Sequence, residues 1–129
     1  MDAAQALSEL TALSAQITSA IVLDQEGAPL ASTLDDGRTK ELAQAVQELL
    51  AAAGRAAGRD GHDLAQLEVA TPSGSVFLVR DGQRTIAATT RPEPAAGLVF
   101  YDLKVCLREI ADKPKPKPRP RKKAGDAAE

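Results

Sequence analysis

Apolar and polar positions along this chain change period several times, and each change marks an element. Over residues 2–15, Ala3, Leu7, Leu10 and Ser14 share one helical face, with Ala6 and Leu13 at its edges. Asp2 supplies an N-cap. Ile17–Leu23 then becomes β-branched and apolar without alternation, which predicts a central strand. Asp24-Gln-Glu-Gly27 reads as a turn and residues 29–34 as the returning strand. Pro29 cannot donate to a ladder and belongs at a strand start or a sheet edge.

The segment Asp35-Asp36-Gly37 predicts a loop and helix cap. Residues 38–57 carry the clearest helical period, with Leu42, Val46, Leu49, Leu50, Ala53 and Ala57 on one side. Lys40, Gln44, Glu48, Ala51 and Arg55 occupy the other side. The small side chains of Ala45 and Ala53 permit close approach of another backbone, and Gly58 and Gly61 end the helix. Residues 64–70 alternate as a third strand, Leu67 and Val69 against Gln66 and Glu68. Residues 74–80 and 84–90 form two more strands around the Asp81-Gly82 turn. After Arg91-Pro-Glu-Pro94, residues 96–110 form a last helix. Its core stripe is Val99, Phe100, Leu103, Cys106, Leu107 and Ile110. A second, smaller patch of Leu98, Tyr101 and Val105 lies between Lys104 and Arg108 on one flank and Asp102 and Glu109 on the other. It serves either as packing or as a partner contact.

The order αββαβββα predicts an α+β fold: a five-stranded antiparallel sheet flanked by helices. Residues 1–111 make one domain, and residues 112–129 a Lys/Pro-rich basic tail, expected to be disordered. With no Trp, one Tyr and two Phe, the core rests on aliphatic burial, each large side chain contributing roughly 1.5–3 kcal/mol. Such a core is thin, so dimerisation is an expected way to bury more apolar surface.

Charge divides the chain more sharply than its net of −2 suggests. Residues 1–111 carry nine Lys/Arg and fifteen Asp/Glu, and residues 112–129 carry seven against three. The tail alternates cation and proline from Lys113 through Lys115, Lys117, Arg119 and Arg121 to Lys122 and Lys123. Proline excludes helix and ladder there, and extended polyproline II is expected. Its role is either a solubilising end or attraction to nucleic acid, anionic lipid or an acidic partner. With no aromatic residue in the tail, nucleic-acid binding would be sequence-independent and salt-sensitive.

No catalytic constellation emerges, and the chain is expected not to be an enzyme. His62 is the lone histidine, in a polar loop, and no cofactor or metal is expected. Cys106, the lone cysteine, sits on a core stripe and reads as a buried, inert thiol. No Walker loop occurs, so the chain is not expected to bind GTP itself. No basic, apolar leader opens the sequence and no apolar run reaches membrane-spanning length, which predicts a cytoplasmic protein without a membrane span.

The apolar strand ending in Asp24-x-x-Gly27 and followed by Pro29-Leu-Ala31 resembles the roadblock/dynein light chain 7 superfamily, which includes MglB-type regulators. So do Glu41-Leu-Ala-Gln-Ala-Val46, the Gly74-to-Val79 strand, Thr85-Ile-Ala-Ala88 and Gly97-Leu-Val99. The resemblance spans residues 3–111 and implies a homodimer in which the second helix and third strand meet their symmetry mates. Carried onto this chain, the candidate interface is Leu42, Ala45, Val46, Leu49 and Ala53 with residues 64–70, Gln66 and Glu68 among them. It also implies a small Ras-like GTPase as partner, with hydrolysis modulated by reshaping the GTPase. Two rival readings are a small-molecule sensor of profilin-like architecture, and an accessory drawn to nucleic acid or an anionic surface by the tail.

Overall fold

The computed structural model describes residues 1–58 and 65–111. The tail, His62, Leu64 and the Gly61 stop signal lie outside the described residues. Helix α1 runs Ala3–Leu13, β1 Ile17–Leu23, β2 Pro29–Ser32, α2 Asp36–Ala56, β3 Gln66–Thr71, β4 Gly74–Asp81, β5 Arg84–Thr90 and α3 Ala96–Ala111. The strands form one five-stranded sheet in the order β2-β1-β5-β4-β3, every pairing antiparallel. The expected element order and fold class are those observed.

Local chemistry sets the boundaries. The Asp2 carboxylate accepts from the Gln5 N–H at 2.8 Å, and the Asp35 carboxylate from the Arg38 N–H at 2.8 Å. In the first hairpin, the Asp24 carboxylate accepts from the Glu26 and Ala28 N–H groups, both at 2.9 Å. Gly27 follows at φ +87°, a conformation that costs a side-chain-bearing residue more. Pro29 opens β2, an edge strand, as its missing donor requires. β2 ends at Ser32, short of Leu34, where one backbone bond, Thr33 N–H to the Ala20 carbonyl at 3.0 Å, is joined by side-chain bonds. The Ala20 N–H donates to Thr33 Oγ1 at 3.0 Å, and the Leu34 N–H to Ser32 Oγ at 2.9 Å.

The sheet carries a core on each face. Ala20, Val22, Phe77, Val79, Ile86 and Ala88 point to α1 and α3. Ile21, Leu23, Leu78 and Ala87 point to α2. β1 feeds both cores, which accounts for its unbroken apolar run. Phe77 meets Phe100 edge-on, ring centroids 4.9 Å apart at 77°. Of the stripe expected on α3, five residues are buried and Phe100 is half-buried.

Two helices turn differently from expectation. α2 buries Thr39, Ala43, Val46, Leu50 and Gly54. Leu42, Leu49 and Ala53 are only half-buried, and Ala57 is exposed. Thr39 hydrogen-bonds Ser32 of β2 and Ala43 packs with Ile21 and Leu23 of β1, and this azimuth leaves Leu42 and Leu49 at the margin. α1 ends at Leu13, whose side chain is 87% exposed instead of edging the core.

Candidate interaction surfaces

The α2 face of the sheet is only partly covered. α2 approaches β1 and β2 most closely, its buried residues also meet Ala87 of β5 and Leu78 of β4, and the β3 edge lies beyond. There Val76 and Leu67 are half-buried against the same core cluster as Leu42 and Leu49, and Val69, paired with Val76, is half-buried on the same face. Ala45 is exposed and Ala53 half-buried on the same helix. Among the described residues β3 is an edge strand, paired only with β4. A half-covered apolar strip beside an open edge is a surface suited to a second chain.

Of the residues expected here, Leu42 and Leu49 pack on the same cluster as Leu67, and Ala45 and Ala53 lie on the same side of α2. Val46 is not part of the surface. It is fully buried against Ile21, Leu23, Leu50, Leu78 and Ala87, and it belongs to the core because it sits on the face nearest β1. Gln66 and Glu68 are exposed on β3, but their register opposite Val79 and Phe77 turns them to the α1/α3 side. They flank the edge and lie off the apolar strip.

The second surface lies between α1 and α3. Leu98 is 53% exposed and Tyr101 63%, while Val105 is half-buried. Tyr101 and Val105 line a groove of about 220 Å³ together with Ala6, Leu10 and Leu13 of α1. Glu9, Asp102 and Glu109 edge it with carboxylates. Partial burial raises the Asp102 carboxyl above its usual range. Lys104 and Arg108 face the other way, toward Gln66, Arg80 and Asp81 at the β3–β4 side of α3. Sequence reasoning placed the α3 patch and both its flanks but missed the α1 wall. The signal was present in Glu9 and Leu13, four residues apart and therefore on one face.

Cys106 forms the floor of this groove. It is 3% exposed, and desolvation, then the nearby Glu109 and Glu9 charges, push its thiol up to about 12. Among the described residues, no three His, Cys, Asp or Glu side chains gather to hold a metal ion. Among them too, no helix is long and apolar enough to cross a membrane. The tail cations and His62 lie outside the described residues.

Known structures share this architecture. A Roadblock/LC7 domain from Streptomyces avermitilis is 24% identical, with a TM-score of 0.73 over 87% of this chain and 97% of that one. The gliding protein MglB from Thermus thermophilus is 16% identical, with a TM-score of 0.68 over 85% and 86%. Profilin II from Acanthamoeba castellanii, at 13% identity, reaches 0.53 over 84% and 97%. No curated protein sequence matches the chain. The sequence profile of the Roadblock/LC7 domain matches residues 3–90, from the start of α1 to the end of β5, and the chain belongs to that family.

Proposed function

We propose that this chain is a non-catalytic, homodimeric regulatory or scaffold protein of the cytoplasm that engages a small Ras-like GTPase. In this reading residues 1–111 form the folded unit and residues 112–129 an appended tail. The observation that carries the dimer is the half-covered α2 face. Leu67, Val69 and Val76 lie there toward the β3 edge, with Leu42 and Leu49 on the flank of α2. A two-fold axis at that edge joins two sheets into one and brings two α2 helices side by side above the seam. Ala45 and Ala53 let those helices approach closely, and Gln66 and Glu68 fall on the opposite side of the joined strands. The contact is isologous, so each apolar strip covers its own counterpart.

The GTPase part rests on family membership together with a second free apolar patch, Leu98 and Tyr101, that the dimer leaves open. A roadblock protein with its own sheet edge consumed by dimerisation retains helix surfaces for a partner, and modulation of hydrolysis would follow from gripping one GTPase conformation. Light scattering at micromolar concentration tests the dimer, and a monomer there removes it. Pull-down with a Ras-like GTPase from the same cell, loaded with GDP or a GTP analogue, tests the partner. No retention in either state removes the GTPase.

A further inference from the structure

The groove between α1 and α3 is unusual in its chemistry for a surface left to water. Its apolar lining includes Leu13 at 87% exposure and Tyr101 at 63%. Three carboxylates, Glu9, Asp102 and Glu109, edge it, and among the described residues none is paired with a cation. Such a groove selects an occupant with apolar and cationic groups interleaved at short intervals. A nucleic acid or an anionic lipid surface meets the wrong charge there.

The chain itself carries the complementary segment. Residues 113–123 alternate lysine or arginine with Pro114, Pro116, Pro118 and Pro120, and they begin four residues after Glu109. We propose that this basic Lys/Pro segment folds back and docks in the α1/α3 groove of its own chain, prolines against Tyr101 and Leu13 and cations toward Glu9, Asp102 and Glu109.

Reach, conformation and charge all favour the docking. Tyr101 to Glu109 spans about 12 Å of helix at 1.5 Å per residue, and eleven residues in polyproline II extend about 34 Å at 3.1 Å each. The segment can therefore turn and cover the groove. A proline at every second position restricts the free segment, so less freedom is lost on docking. Tethering holds it at an effective concentration on the order of millimolar, which makes weak individual contacts sufficient. Lys104 and Arg108 on the far flank of α3 repel the segment and steer it toward the α1 side. The docked segment covers Tyr101 and thereby competes with any partner of that patch. This inference does not depend on the identity of such a partner, or on dimerisation.

The test uses the full chain with a nitroxide attached through Ala124→Cys. The buried Cys106 thiol does not compete for the label. Amide signals of Leu13, Tyr101 and Val105 are expected to broaden at low salt, and the broadening to fall at least fivefold in 1 M NaCl, where the screening length is about 3 Å. Glu109→Lys with Glu9→Lys, both on exposed positions, should remove it at unchanged melting temperature. Broadening that falls on other residues, or persists in salt and in the double variant, overturns the proposal. A mixture of isotope-labelled chains without nitroxide and unlabelled chains carrying it should show no broadening; equal broadening in that mixture assigns the tail to another molecule and also overturns it.

Discussion

Phe77→Ala is the perturbation that most directly probes how α3 is held on the sheet. Phe77 is the one aromatic side chain that is fully buried, and it lies in β4 with its ring edge-on to Phe100. Truncating a buried Phe costs about 3–5 kcal/mol. Loss of the ring pair, about 0.5–1.5 kcal/mol beyond area, places this site in the upper half of that range. The hole is walled by sheet on one side and helix on the other, so it collapses poorly. Against a total stability of about 5–15 kcal/mol, a loss near 4 kcal/mol leaves a marginal domain. At about 4–8 °C per kcal/mol, the midpoint should fall by about 15–30 °C. The control is Tyr101→Ala, beside Phe100 in sequence but 63% exposed, which should change stability by no more than about 0.5 kcal/mol. Urea and thermal unfolding followed by circular dichroism, at one protein concentration because self-association is linked to stability, measures both. A Phe77→Ala loss below about 1.5 kcal/mol, or one equal to that of Tyr101→Ala, refutes the docking of α3 on β4.

Gly74→Ala should destabilise by roughly 2 kcal/mol or more, since Gly74 sits at φ +150° and a Cβ would run into the backbone carbonyl oxygen of Thr90; an unchanged urea midpoint would show that the β4 start sits elsewhere. Leu49→Glu should leave the monomer folded, because Leu49 is only half-buried, yet shift the species seen by light scattering to half the mass; an undiminished dimer would place the seam away from α2. Cys106 should resist Ellman's reagent at pH 8, where a thiol with its pKa at about 12 is roughly one part in ten thousand thiolate, and should react at once in urea. Rapid reaction of the native protein would mean that the groove floor opens.

Most of the secondary structure was legible because its signals are local. The strands β1 and β5 fall within the expected limits, since β-branched runs and flanking turn residues act over a few positions. β2 stops two residues short and α2 starts two residues early and ends one early, the first two where Ser32, Thr33 and Asp35 hydrogen-bond to backbone in ways that residue type alone does not rank.

The surfaces divide along the same line. A helical wheel shows that Leu42, Val46 and Leu49 share a side, and the sequence by itself determines that much. Which of them meets the sheet depends on the azimuth of α2, and Ala43, packed beside Val46 against Ile21 and Leu23, marks the face that does. Val46 thereby enters the core while Leu42 and Leu49 stay at the margin. How far one helix reaches across five strands is likewise a property of packing, and it leaves Leu67 and Val69 partly bare. The acidic groove is the clearest case: its walls, Glu9 with Leu13 and Tyr101 with Glu109, are separated by some ninety residues of sequence. Sequence patterns set what each wall offers; only the sheet, by seating α1 and α3 on one face, decides that the walls stand opposite each other.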